Sequence, residues 1–111
     1  MIHCMNLDSS PFNLIITGKK RVEMRLFDEK RSKIEIGDII EFENNDTHRK
    51  AQCKVVNLTR YKDFFELYSH FDKKDIGYEE NQTANAEDMY AYYSPERIKK
   101  YGALAIEIEL L

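Results

Sequence analysis

Cysteine and proline are scarce in this 111-residue chain, with two of each, and glycine is little commoner at four. Cys4 and Cys53 lie far apart, with no Cys-x-x-Cys pair and no histidine at ligand spacing. That pattern argues against a disulfide framework or a zinc site and fits a reducing, cytoplasmic setting. No segment approaches the run of about 18 apolar residues that a membrane-spanning helix needs. The opening "MIHCMNLDSSPF" has no basic stretch followed by an apolar one, so neither export nor membrane insertion is expected. The Asn-x-Thr triplets at Asn45, Asn57 and Asn81 are then chance matches to glycosylation acceptors. An excess of positive charge is missing as well: 17 Lys and Arg face 20 Asp and Glu, a net charge of −3, so no global field draws in duplex nucleic acid. Any nucleic-acid role falls to a local patch. The sequence holds no P-loop, no dinucleotide-binding glycine pattern and no Ser-His-Asp arrangement, which removes nucleotidyl-transfer and triad-hydrolase chemistry. No cofactor and no metal are expected.

What the chain does have is 42% hydrophobic and 33% charged residues, the balance of an ordinary globular domain with a real core. No repeat or Gly/Ser linker divides it, so residues 1–111 read as one domain. "MIHCMNL" reads as a strand, and "SPFNLIITG" as a short helix with Ser10 as N-cap, Pro11 at its first position and Gly18 as its stop. From Lys20 onward Val22, Met24 and Leu26 alternate with Arg21, Glu23, Arg25 and Phe27, the period of a half-buried strand, expected to run as an interior strand of a barrel. Gly37-Asp38 marks a turn before a strand at Ile39 to Phe42, which pairs as a hairpin with a segment carrying Ala51, Cys53 and Val55. The parity then switches to Val56 and Leu58, which predicts a bulge near Val55-Val56. "KDFFELYSHF", "NAEDMYAYY" and "SPERIKKYG" read as three short helices, the last two with Asn85 and Ser94 as caps. "ALAIEIELL" alternates as a half-buried final strand. The order β-α-β-β-β-α-α-α-β points to an α+β fold built on a small curled sheet or barrel.

The segment "GKKRVEMRLFDEKR" gathers charges of both signs inside a strand pattern. An edge strand that carries Lys and Arg to block sheet-to-sheet association accounts for such charges. A pocket wall also does: Lys20 falls at a helix-to-strand junction, and Glu23 and Arg25, two apart on one face, present an acceptor and a forked donor to a planar polar ligand. On a wet face, Glu23→Ala is expected to cost about 1 kcal/mol or less. Arg31, with Lys19, Arg21, Lys30 and Lys33, is a candidate for basic support of the same ligand, and Tyr93, with Tyr90 and Tyr92, for stacking at the cleft mouth. His70 is read as structural, and His3 and His48 have no partner in view.

The spacing Gly18-x-Lys20-x-x-Glu23-x-Arg25, followed by "IEIGDIIEF" and the terminal "YGALAIEIEL", resembles the signature of the ASCH superfamily over nearly the whole chain. That resemblance implies a PUA-like fold, a small β-barrel of about five to six strands with flanking short helices. It further implies a cleft lined by Lys20, Glu23 and Arg25 that binds RNA or a nucleotide-like ligand such as a modified nucleoside, as a single strand or a single base. An alternative comes from a branch that hydrolyses N4-acetylcytidine using the motif Lys with a Thr and a Glu. Lys20 matches that Lys, Glu23 stands where the Thr is expected, and Asp72 and Asp75 are the nearby candidates for the acid. A ribonuclease-like activity, with Glu23 as base and Lys20 or Arg25 at the phosphate, is the other catalytic option that the resemblance implies.

Overall fold

The chain, in this computed structural model of residues 1–111, opens with strand β1 (Ile2–Leu7), which buries Met5 and Leu7 and exposes its other side. It turns at Asp8 into helix α1 (Ser9–Ile16), which drives Phe12 and Ile15 into the interior. Asp8, not Ser10, takes the cap position. Pro11 still lies within the first turn, where its missing N–H has no intrahelical partner to lose.

Strand β2 (Val22–Leu26) follows, then a single 3-10 turn at Arg31–Lys33, the hairpin of β3 (Ile39–Asn44) and β4 (Lys50–Tyr61), helix α2 (Phe64–His70), a 3-10 helix (Ala86–Ala91), helix α3 (Pro95–Tyr101) and strand β5 (Ala103–Leu110). The five strands form one sheet in the order β1-β3-β4-β5-β2, with β1 parallel to β3 and every other pairing antiparallel. The expected bulge is present: the β4–β5 register slips between Val55 and Asn57, leaving Val56 exposed. An extra residue there bends β4 and lets the sheet curl into a half-barrel.

Both faces of the curl carry core. On the inner side Met5, Phe42, Val55, Leu104 and Ile106 enclose Phe12 and Ile15 of α1. On the other side Val22, Met24 and Leu26 of β2 and Ala103 and Ala105 of β5 meet Phe64 and Leu67 of α2, Met89 of the 3-10 helix and Ile98 of α3. This corrects two expectations. The final strand is not half-buried over its first part, because Ala103 and Ala105 are small enough for helices to lie on the face opposite Leu104 and Ile106. And β2 ends the sheet order, with β5 as its only strand partner, instead of running inside a closed barrel. Its residues are buried all the same, since the helices cover one face and the curl encloses the other.

The middle helix of the expected three is a 3-10 helix. Asn85 caps it by accepting from the Glu87 N–H at 3.0 Å, and the Ser94-Pro95 step that opens α3 comes too soon for a longer α-helix. Ser94 caps α3, and Gly102 ends it at φ +80°, where a Cβ would stand 2.8 Å from the Tyr61 carbonyl oxygen.

Candidate functional site

The end of α1 fixes the backbone at Lys20: the N–H groups of Lys19 and Lys20 both reach the Leu14 carbonyl, at 2.9 and 3.0 Å. The next two N–H groups, Arg21 and Val22, both donate to the Asp75 carbonyl at 2.9 Å. Val22, Met24 and Leu26 belong to the helix-covered core, so Glu23 and Arg25 face the inside of the curl, paired in register with Ile106 and Leu104. The Lys20 stem lies against Gly77, where an added Cβ would sit 3.2 Å from Lys20 Cδ, and its ammonium turns toward Glu23.

The three charged groups of the motif therefore converge. Lys20 Nζ donates to Glu23 Oε1 at 3.2 Å, the Met24 N–H donates to the same oxygen at 2.9 Å, and Arg25 Nη2 lies 3.5 Å from Glu23 Oε2. Arg25 Nη2 also donates to the Asn6 carbonyl at 3.1 Å, joining edge strand β2 to edge strand β1 across the open side of the half-barrel. The side chains of Lys20, Glu23 and Arg25 are 8%, 5% and 14% exposed, so this is a buried ion cluster and not a wet surface pair. Burial alone raises the Glu23 carboxyl, but the charges of Lys20 and Arg25 and the Met24 N–H outweigh it, and the net direction is down from the ordinary carboxylate value. Glu23 is ionised at neutral pH. Beneath it the Cys53 thiol is pushed up to about 11 by burial and by the Glu23 charge, and it stays a thiol.

Lys20, Glu23 and Arg25 line a cavity of about 700 Å³, within the range of small-ligand sites. Its walls come from the β1–α1 junction, from the loop carrying Ile76, Gly77 and Tyr78, and from the 3-10 helix with Tyr92 and Tyr93. Tyr93 stacks on buried Phe64 with ring planes 3° apart, which holds its ring as part of the wall. Elsewhere in the lining, Tyr78 Oη bridges Tyr68 Oη at 2.9 Å, Asp88 Oδ2 at 2.7 Å and the Asn85 carbonyl at 3.2 Å. Burial, with the hydrogen bonds to Tyr68 and Asp88, pushes the Tyr78 phenol well up, so it is a neutral donor and never a phenolate.

Other residues singled out from the sequence lie elsewhere. Arg31 does not line the cavity. It is bound to Asp28 at 2.8 Å in the turn after β2, and Lys30 and Lys33 open on a separate depression with Arg97. Neither Asp72 nor Asp75 lines the cavity; Asp75 acts through its backbone carbonyl and its carboxylate lies 3.7 Å from the exposed Arg21. Tyr92 lines the cavity and Tyr90 does not. No histidine faces the cavity: His3 binds Asp38 at 2.8 Å, His48 sits in the β3–β4 turn and His70 stacks on Tyr61. Two further acids and two phenols face it, Asp8, Asp88, Tyr68 and Tyr78, and the sequence did not single them out as site residues. Tyr78 and Asp88 lie on the long connection between α2 and α3, whose path no periodicity reveals, and only the Asn85 cap marked a fixed point near them. No group of three or more His, Cys, Asp or Glu is placed to hold a metal ion, and no helix is long and apolar enough to cross a membrane.

A curled five-stranded sheet with flanking helices defines a PUA-like α+β domain. The ASCH domain family model matches residues 5–111, and the chain belongs to that family, which is often linked to RNA binding. Among solved structures, the hypothetical protein PH0355 is 35% identical over the full length of both chains, with a TM-score of 0.84. Protein PF0455 from Pyrococcus furiosus is 32% identical, covering 100% of this chain and 98% of its own, with a TM-score of 0.75. A serine-to-alanine variant of ZmASCH from Zymomonas mobilis shares the fold at 15% identity and a TM-score of 0.69, with 97% of this chain matched to 67% of that one. No curated protein matches the chain.

Proposed function

We propose that the chain binds single-stranded RNA or a nucleotide-like ligand in the cavity whose floor is Lys20, Glu23 and Arg25. The observation that supports this reading is the convergence of those three side chains at the base of a cavity walled by tyrosines. Glu23 already accepts from Lys20, Arg25 and the Met24 N–H, so its part is to hold two cations in place. Lys20 keeps two N–H donors beyond the one given to Glu23, and Arg25 keeps the rest of its guanidinium fork. The floor thus seeks acceptors: a phosphate oxygen or a base carbonyl. Tyr92 and Tyr93 offer the aromatic faces on which a base stacks. The net charge of −3 suits a short segment rather than a long tract.

The test is equilibrium binding of nucleoside monophosphates and short RNAs to wild type, Lys20→Met and Arg25→Ala. Loss of one charge-assisted contact should weaken binding about tenfold or more. With two phosphate contacts, affinity should fall about sevenfold between 50 and 200 mM salt. Binding that neither substitution changes overturns the assignment. The same samples incubated with N4-acetylcytidine decide the catalytic alternative: cytidine release by wild type and not by Lys20→Met replaces binding with amide hydrolysis as the function.

A further inference from the structure

The 3-10 helix that gives Asp88, Met89 and Ala91 to the cavity gives Ala86 and Tyr90 to a second groove, of about 380 Å³, between α2 and α3. Helix α2 buries Phe64 and Leu67 and leaves Phe65 out, 50% exposed, beside Tyr90, 44% exposed, with ring centroids 6.4 Å apart. Lys62 and Lys99 line the same groove, and neither ammonium has a carboxylate at ion-pair distance. Two acids at its α2 end are turned to the backbone: Asp63 accepts from the Glu66 N–H at 2.9 Å and Glu66 from the Lys62 N–H at 3.1 Å. Two exposed rings between two free lysines complement a nucleotide, whose base stacks and whose phosphate carries the opposite charge.

We propose that this groove is a second nucleotide subsite, which receives the neighbour of the nucleotide held in the cavity, so that the ligand is an RNA strand at least two nucleotides long. The inference rests on the cavity binding a nucleotide. The strand crosses the 3-10 helix, with one base against Tyr92 and Tyr93 and the next stacked on the exposed ring face of Phe65 or Tyr90, whose rings already touch each other at a tilt of 59°. Linking two subsites raises affinity for the strand above that for either nucleotide alone.

Fluorescence anisotropy with an end-labelled RNA hexamer, competed by nucleoside monophosphates, tests it. The hexamer should bind about tenfold or more tightly than any monophosphate. Phe65→Ala and Tyr90→Ala should each weaken hexamer binding, by about 5- to 150-fold for a lost stack, and leave monophosphate competition unchanged. Lys62→Ala and Lys99→Ala should each reduce the log–log salt slope of hexamer binding by about 0.7. If the monophosphate binds and the hexamer binds no better, or if the ring substitutions weaken both ligands equally, the second subsite is wrong and the cavity assignment stands. If neither ligand binds wild type, the cavity assignment itself has failed.

Discussion

Replacing Glu23 with alanine removes the one anion between two buried cations. Lys20 and Arg25 are then left facing each other with side chains 8% and 14% exposed. Breaking a buried ion pair by deleting one partner costs about 3–5 kcal/mol, because the remaining charge is neither hydrated nor paired. The cavity on one side lets water reach the Lys20 ammonium, which places the expected loss toward the lower end. For 111 residues the unfolding entropy converts each kcal/mol into a shift of about 4 °C, so a loss of about 3–5 kcal/mol lowers thermal unfolding by about 12–20 °C, with the lower figure expected here. Glu23→Gln, which keeps the shape, should lose less, and its deficit should depend on pH. The folded carboxyl titrates below its ordinary value of 4.5, so the stability it contributes is complete above that value and is lost as pH falls through the lower folded value. The gap between wild type and Glu23→Gln in urea midpoints should therefore be constant near neutrality and close below pH 4.5. A loss for Glu23→Ala of about 1 kcal/mol or less, the value for an exposed pair, refutes the buried-cluster argument, as does a gap that does not change with pH.

Two other predictions concern groups that position this cluster or stand apart from it. Gly77→Ala places a Cβ at φ +106° and 3.2 Å from Lys20 Cδ, so it should lower stability by roughly 1–2 kcal/mol and weaken nucleotide binding by displacing Lys20; unchanged chemical denaturation and binding together would count against the contact. Asp38 accepts from His3 at 2.8 Å and from the Glu35 N–H at 3.0 Å, which pull its carboxyl down to about 2 from 3.8. Its contribution is complete above 3.8 and lost toward 2, so Asp38→Asn should flatten the decline of stability over that interval in acid titrations followed by circular dichroism, and parallel curves for the two proteins would refute the reasoning.

Most elements were legible because their signals are local. The caps at Asn85 and Ser94 act within three residues, the parity switch at Val55-Val56 is a one-residue register slip, and the alternation of Val22, Met24 and Leu26 needs only a strand. Long-range pairing was not legible. Nothing in the Lys20 to Phe27 segment says that β5 is its only strand partner, and nothing in Ala103 to Ile106 says that helices cover both alanines. The convergence of Lys20, Glu23 and Arg25 was visible in part, since Glu23 and Arg25 share a strand face, but the burial that turns a wet pair into an ion cluster comes from α1, the Gly77 loop and the curl of the sheet. Arg31 shows the converse. Closeness in a charged sequence placed it with the motif, while a short-range pairing with Asp28 holds it in its own turn.

The strand order also sets the sequence of assembly. The hairpin of β3 and β4 can form from neighbouring residues, and β1 can join it as soon as that hairpin exists. Strand β2 has no partner in that group; it waits for β5, on the far side of two helices and a 3-10 helix in the chain. Closing so long a loop is the slow part of folding for topologies of this kind. The wall that carries Lys20, Glu23 and Arg25 is therefore expected to be completed last, and a chain that has not yet made β5 should display the motif without the pocket. A fragment ending before Ala103 should be left with β2 unpaired and its apolar face uncovered, a target for chaperones and proteases before it is a binder of anything else.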